Sequence, residues 1–150
     1  MTETTNLVNA IIKGIQEKKG QDIVIADLSH IDGAIAKSFV ICQGNSPWQG
    51  EAIAESISEV CRKELKEKPV GVNGLGANQW VAIDFVDVLV HIFVPELRTF
   101  YDLENLWEDA KLTRLPNIDW SLAHQQASAD QAHTSISNHG KQQPSLPQQG

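Results

Sequence analysis

The feature that most constrains the fold is an alternation of apolar side chains along residues 80–93. Successive residues of a β-strand point to opposite sides of its sheet, so the alternation sorts the side chains into two faces. With Val86-Asp87 as a two-residue turn, the segment predicts a hairpin. One face of that hairpin is then purely apolar and consists of Val81, Ile83, Phe85, Val88, Val90 and Ile92. We expect this face to pack on the core.

The opposite face of the predicted hairpin mixes aromatic and polar side chains. Its cross-strand pairs are Trp80 with Phe93, Ala82 with His91, and Asp84 with Leu89. One interpretation is a protein-binding patch, because aromatic side chains and Arg supply most of the energy at protein interfaces. The other is a core face covered by a helix, with Asp84 and His91 at its rim, because large aromatic side chains are usually buried. The pattern alone leaves both interpretations open.

Charge and composition narrow the classes of partner. The formal net charge of −7 makes a bare nucleic acid or an anionic membrane an unexpected direct partner, whereas a basic protein fits well. Two isolated cysteines, Cys42 and Cys61, indicate a reducing compartment without a disulfide framework. The N-terminus lacks a signal-peptide pattern, and no apolar run approaches the roughly 20 residues that span a bilayer. We therefore expect a cytoplasmic protein.

Helical and strand-like periodicities alternate along the first 110 residues. In chain order they predict a helix at 4–18, strands at 22–27 and 38–42, a second helix after Gly44-Asn45-Ser46, a loop at 69–78, the hairpin, and a helical segment ending near Ala110. At the start of the second helix, Ser46 is a suitable N-cap, Pro47 suits the first helical position, and Gln49 completes a capping box. The order α-β-β-α-β-β-α predicts an α/β (α+β) fold with a mixed sheet flanked by helices.

The composition changes after Trp120, so we divide the chain into a domain at 1–120 and a tail at 121–150. The tail is rich in Gln, Ser, His, Asn and Ala and contains no aromatic residue. Such a segment cannot bury enough apolar surface to offset its conformational entropy, and we expect it to be disordered. We interpret its three histidines, His124, His133 and His139, as scattered polar residues rather than a metal site.

Few residues indicate catalysis. Backbone amides at Gly44-Asn45-Ser46, between a strand and a helix, could hold phosphate, but an ordinary capped helix start explains the motif as well. A small magnesium-dependent nucleotidyltransferase is the alternative function, and it needs paired carboxylates. Asp84 and Asp87 come nearest, yet they flank the predicted turn and would face opposite sides. Arg98 with Asp102 or Glu104 predicts an ion pair on a helix surface. We expect no cofactor and no metal.

Four segments, in chain order, read Asp22-Ile23-Val24, then Phe39-Val40-Ile41-Cys42-Gln43-Gly44-Asn45-Ser46, then residues 80–93 as WVAIDFVDVLVHIF, then Phe100-Tyr101-Asp102-Leu103-Glu104-Asn105-Leu106-Trp107. Together they resemble the ribosomal silencing factor family, also called Iojap-like proteins. The resemblance covers about residues 5–112, and the tail lies outside the pattern. It implies a nucleotidyltransferase-like fold without transferase activity.

The resemblance also implies a partner and a set of contact residues. The partner is the large ribosomal subunit, bound through its ribosomal protein fourteen, where the factor blocks joining of the small subunit and slows translation when nutrients are scarce. The residues carried over for this contact are Trp80, Asp84, His91 and Tyr101. Trp80 and His91 also lie on the mixed face of the hairpin. Whether the free protein forms a homodimer stays open.

The chain departs from the family pattern at three places. Lys37 stands where the family usually has Asp, and Pro47-Trp48-Gln49 stands where it often has Ser/Thr-Arg-His. Val86 replaces a Gly that usually precedes the Asp of the hairpin. This last change makes a turn with a positive φ less expected, because a β-branched residue rarely adopts one.

Overall fold

The computed structural model describes residues 3–75 and 77–120. Chain contacts group the residues up to Asn117 into one compact unit and begin a second at Ile118. The predicted tail at 121–150 lies outside the described residues. Within the described part of the chain, no helix is long and apolar enough to cross a membrane.

Three helices and six strands make up the described fold. The helices are α1 (Thr4–Glu17), α2 (Pro47–Leu65) and α3 (Pro95–Tyr101), and a 3₁₀ turn follows at Leu103–Asn105. The strands are β1 (Gln21–Asp27), β2 (Ser38–Gln43), β3 (Gly71–Leu75), β4 (Trp80–Asp84), β5 (Val88–Phe93) and β6 (Lys111–Arg114). They form one sheet in the order β3-β4-β5-β2-β1-β6. The pair β2–β5 is parallel and the other four pairs are antiparallel, which confirms an α+β class with a mixed sheet.

The hairpin formed by β4 and β5 has the predicted register. Trp80 pairs with Phe93, Ala82 with His91, and Asp84 with Leu89. At the turn the Phe85 amide donates to the Val88 carbonyl over 2.9 Å, so Val86-Asp87 is a two-residue connection. The expectation against a positive φ is wrong, because Val86 has φ 75°. The alternation of side chains fixed the register even though the turn residue is unfavourable.

The apolar face of the hairpin packs beneath α1 and α2, as expected. Its six residues are all buried within one cluster with the apolar stripes of both helices. The two helices approach closely at Gly14, where an added Cβ would lie 2.7 Å from the Ile57 Cα. The Ser56 hydroxyl, buried in this contact, donates to the Gly14 carbonyl over 2.8 Å. This side of the sheet is therefore closed by helix packing.

The N-terminus of α2 is capped as predicted, with one difference. The Ser46 hydroxyl accepts from the Gln49 amide over 3.2 Å. The Gln49 side chain returns to the amide of Asn45 over 2.7 Å, one residue before the N-cap. Its Nε2 also donates to the carbonyls of Lys18 and Lys19, so the same side chain joins the end of α1 to the start of α2.

The predicted element order was incomplete in the second half of the chain. Residues 69–78 are not wholly a loop, because β3 pairs with β4 from Gly71 to Leu75. The last helical segment ends earlier than Ala110, and β6 follows it as an edge strand on β1. Both added strands lie at sheet edges, where one partner is sufficient. The fold is still α+β with a mixed sheet, because the two added strands extend the sheet without adding a layer.

Candidate protein-binding site

The second face of the sheet carries an aromatic cluster, which consists of Trp80, His91, Phe93 and Tyr101. Trp80 begins β4, His91 and Phe93 lie near the end of β5, and Tyr101 ends α3. The Trp80 ring centroid is 4.9 Å from that of Phe93 and 4.8 Å from that of Tyr101. Such separations are typical of aromatic pairs that stabilise one another beyond simple burial. The short α3 therefore brings Tyr101 against a residue of the sheet.

The aromatic cluster has a buried base and an exposed rim. His91 is 5% exposed and Phe93 is 1% exposed, whereas Tyr101 is 45% exposed. Trp80 is half-buried between these extremes. The interpretation as a covered core face is confirmed for His91 and Phe93, whereas the interpretation as a protein-binding patch stays a prediction, for which Trp80 and Tyr101 are partly exposed. His91 does not lie at the rim, because Phe39 packs against its ring at 4.9 Å and Trp80 covers it.

The protonation of His91 follows from its neighbours. The Trp80 indole Nε1, which can only donate, lies 3.1 Å from His91 Nδ1, so Nδ1 must accept and carry no proton. Burial lowers the pKa of His91 to about 4, because desolvation disfavours the charged ring. The neutral ring then carries its proton on Nε2, which is buried and has no protein partner within the described chain. His91 is accordingly not suited to acid–base work at neutral pH.

Asp84 lies on the same face but apart from the aromatic cluster. It is four residues further along β4 than Trp80, about 13 Å away at the rise of a β-strand. Its carboxylate accepts from the Val86 amide over 2.7 Å and so braces the hairpin turn. The structure therefore brings Trp80, His91 and Tyr101 together and places Asp84 at the far end of the same strand.

Arg98 anchors the segment that carries Tyr101. Its guanidinium makes two bonds to the Glu104 carboxylate, from Nε at 3.3 Å and from Nη2 at 3.2 Å. The Glu104 carboxylate also accepts from Arg114 on β6. A further guanidinium nitrogen donates to the Asp22 carbonyl on β1. The prediction of a surface pair is wrong, since both Arg98 and Glu104 side chains are about nine-tenths buried.

One exposed apolar residue extends the rim of the aromatic cluster and was not singled out from the sequence. Phe100 is 76% exposed, and its ring meets that of Tyr101 edge-on at 5.0 Å. Its adjacency to Tyr101 in the Phe-Tyr-Asp-Leu-Glu-Asn-Leu-Trp run was the available signal. Together with the partly exposed Trp80 and Tyr101 it gives this part of the surface an exposed apolar character.

The carboxylates considered for metal binding are engaged elsewhere. Asp84 caps the turn, and the Asp87 carboxylate lies 3.7 Å from the Lys37 ammonium. In residues 3–75 and 77–120 there is no group of three or more His, Cys, Asp or Glu side chains arranged to hold a metal ion. The Cys42 thiol is also buried, which raises its pKa to about 12. Asp84 and Asp87 thus serve the hairpin turn and an ion pair with Lys37.

A mixed sheet closed by helices on one face and bearing a partly exposed aromatic cluster on the other defines a small α+β protein with a candidate binding face. The family model described as "Ribosomal silencing factor during starvation" matches residues 1–144. The chain belongs to this family. The match extends well past residue 120, so the expectation that the tail lies outside the family pattern is wrong for most of its length.

Individual relatives agree with the family assignment. A ribosomal silencing factor of Halalkalibacterium halodurans is 34% identical over 115 residues, which are 75% of this chain and 94% of the relative. A ribosomal silencing factor of Bacillus subtilis is 37% identical over 66% of this chain and 82% of its own length. A crystal structure from Chromobacterium violaceum aligns with a TM-score of 0.66 at 31% identity, covering 71% of this chain and 88% of that one.

Proposed function

We propose that this protein binds the large ribosomal subunit through its ribosomal protein fourteen and thereby blocks joining of the small subunit. Translation is then repressed when nutrients are scarce. The observation that carries the proposal, beside family membership, is the aromatic cluster, in which Trp80 and Tyr101 are partly exposed over a buried His91 and Phe93. Exposed aromatic side chains on a rigid base are the usual energetic centre of a protein interface.

The rigidity of the base supports this role. Trp80 and Tyr101 belong to different elements, yet each packs against Phe93 within one set of ring contacts. The Arg98–Glu104 pair joins α3 to the 3₁₀ turn. It thereby fixes the position of Tyr101, the last residue of α3. Because these side chains are already ordered, little conformational entropy remains to be lost on binding. Asp84 would contact the partner at the edge of the surface, near the turn.

The charge of the protein supports a basic partner. A net charge of −7 attracts a basic ribosomal protein and speeds their encounter at low salt. We expect higher ionic strength to slow association more than dissociation. Stopped-flow measurements with purified large subunits at two salt concentrations would test this expectation. A salt dependence confined to dissociation would contradict a steering role for the charge.

The proposed mechanism is steric exclusion, which requires occupancy and no turnover. Adding the protein to separated subunits should reduce formation of joined ribosomes in proportion to the large subunits occupied, without nucleotide or metal. Preformed joined ribosomes should resist, because their contact face is already covered. Inactivation of many ribosomes by one molecule would contradict exclusion. Tight, magnesium-dependent binding of a nucleoside triphosphate would instead support the nucleotidyltransferase alternative.

The contact surface is tested by Trp80→Ala and Tyr101→Ala. Each should weaken large-subunit binding by about 2 kcal/mol or more, the range of aromatic hot spots. Trp48→Ala is the matched control, since Trp48 is 82% exposed on α2, the helix over the other sheet face. It should bind like the wild type. Equal losses in all three variants, or lost binding together with a collapsed melting curve, would contradict the proposed surface.

A further inference from the structure

The Trp80–His91 hydrogen bond indicates how His91 can contribute to binding although its side chain is buried. At 5% exposure, His91 offers almost no surface to a partner. We propose that His91 is a positioning residue, which accepts the Trp80 indole N–H at Nδ1 and thereby fixes the orientation in which Trp80 meets the partner. This inference rests on the proposed function, because it assumes that Trp80 is a contact residue.

Stacking alone does not determine the orientation of the Trp80 indole. The ring lies against Phe93 at 4.9 Å with an interplanar angle of 30° and against Tyr101 at 4.8 Å with an angle of 43°, and the χ2 torsion of a Trp side chain allows two broad ring orientations. The two orientations differ in where the indole N–H points. A hydrogen bond of 3.1 Å to a buried acceptor selects the orientation with the N–H turned toward the protein.

His91 is itself held in place, as a positioning residue must be. Its ring packs edge-on against Phe39 at 4.9 Å and roughly parallel to Phe93 at 6.1 Å. Its burial also lowers its pKa to about 4, so that Nδ1 stays an acceptor throughout the physiological range. The orientation of Trp80 is therefore set by a packed ring whose pKa burial holds well below neutral.

A consequence follows for the chemistry of the partner. Because the indole N–H is already bonded to His91, it is not available to an acceptor on the partner. The matching group must then contact the ring itself, as an apolar side chain or a cation over the aromatic face does. For a basic ribosomal protein, a Lys or Arg side chain meets this requirement.

Two variants that are nearly isosteric with each other, and that both remove the imidazole ring, separate the acceptor from the packing. In His91→Asn the side-chain oxygen stands as many bonds from the backbone as Nδ1, so an acceptor is retained. In His91→Leu the shape is similar but the acceptor is lost. We expect solvent exchange of the Trp80 indole proton to rise at least tenfold in the Leu variant and large-subunit affinity to fall about tenfold. The Asn variant should stay close to the wild type in both measurements.

The outcomes distinguish this inference from the proposed function. If the Leu variant loses protection of the indole proton but binds like the wild type, the positioning role is wrong and the binding surface stands. If the wild type does not bind large subunits, the proposed function fails. Should the variants not fold, the nitrogen chemical shifts of His91 in the wild type decide the matter. A proton on Nδ1 would overturn the inference, whereas a proton on Nε2 supports it.

Discussion

The two faces of the sheet differ along a single strand. On β4, Val81 and Ile83 point under α1 and α2 and are at most 3% exposed, whereas Trp80, Ala82 and Asp84 on the other side are half-buried. The helix-covered face is closed by apolar side chains that require only burial. The opposite face includes an imidazole, a guanidinium and partly exposed rings, each of which needs a specific neighbour. The first face chiefly stabilises the fold, and the second is the face for which we propose recognition as well.

The contrast predicts that substitutions on the two sides of β4 will have opposite effects. Ile83→Ala removes a fully buried side chain and should lower the free energy of unfolding by about 4 kcal/mol, as cavity-forming substitutions do. Among molecules that remain folded, large-subunit binding should be unchanged. Trp80→Ala should weaken large-subunit binding and lower the free energy of unfolding less than Ile83→Ala does. Chemical denaturation and subunit binding measured on both variants check this, and a binding loss in folded Ile83→Ala would contradict the division.

The stability of the second face should depend on the buried ion pair between Arg98 and Glu104. Glu104→Gln leaves Arg98 buried without its carboxylate, and breaking such a pair should cost about 3 kcal/mol of unfolding free energy. Glu59→Gln is the control, because Glu59 pairs with Lys63 on the exposed surface of α2 and should change stability little. Denaturation curves of both variants provide the measurement. Equal stability of the two would show that the Arg98 anchor is dispensable.

The fold could be predicted where a local pattern determined it. The alternation along residues 80–93 gave the hairpin register, and Ser46-Pro47 gave the start of α2. The strands β3 and β6 were missed because their residues lack a buried alternating pattern. Gly71 and Gly74 weaken the strand signal of β3, and three of the four residues of β6 are exposed. Pairing with a neighbour, rather than intrinsic preference, makes these segments strands.

The site could be predicted only in part, for a related reason. The mixed face was visible in the sequence, but its division into a buried base and an exposed rim depends on where α3 packs. The burial of His91 and the partners of Arg98 arise from contacts with elements distant in the chain, such as Phe39 and Asp22. Spacing along a helix indicates local ion pairs. It does not reveal that a guanidinium will be buried against another strand.

The polar groups of the second face should also give it a pH dependence. Burial lowers the pKa of His91 from 6.5 to about 4, so between these values the unfolded chain binds a proton that the folded protein excludes. Stability should be complete above pH 6.5 and decline as the pH falls toward 4. The loss between pH 7.5 and pH 5 should be about 2 kcal/mol, from the shift in this pKa.

The pH effect is isolated by comparison with His91→Asn, which lacks the titrating ring. Urea unfolding of both proteins at the two pH values cancels the contribution of the carboxylates they share. The wild type should lose more stability on acidification than His91→Asn, and the difference between the two losses should be the His91 contribution. If both proteins lose the same stability on acidification, the fold does not lower the pKa of His91. The ring is then protonated or accessible in the folded state.

The smallest expected effect concerns the turn that assigns each hairpin residue to its face. The Asp87 amide donates to the Phe85 carbonyl over 2.9 Å, which closes a three-residue γ-turn around Val86 at φ 75°. This conformation strains a β-branched side chain, and Val86 is 61% exposed, so its packing offers little in return. Val86→Gly should raise the free energy of unfolding by about 1 kcal/mol, after the greater entropy of glycine in the unfolded chain is deducted.

The register should survive Val86→Gly, because the helix-covered face still requires Val81, Ile83 and Phe85 to point inward. A one-residue slip would move these side chains to the opposite face. Urea unfolding measures the stability, and proton contacts between Trp80 and Phe93 report the register. A destabilised variant with intact contacts would show that Val86 is not strained. Loss of the Trp80–Phe93 contacts would show that the turn residue, rather than the alternation of the strands, keeps the two faces of the sheet distinct.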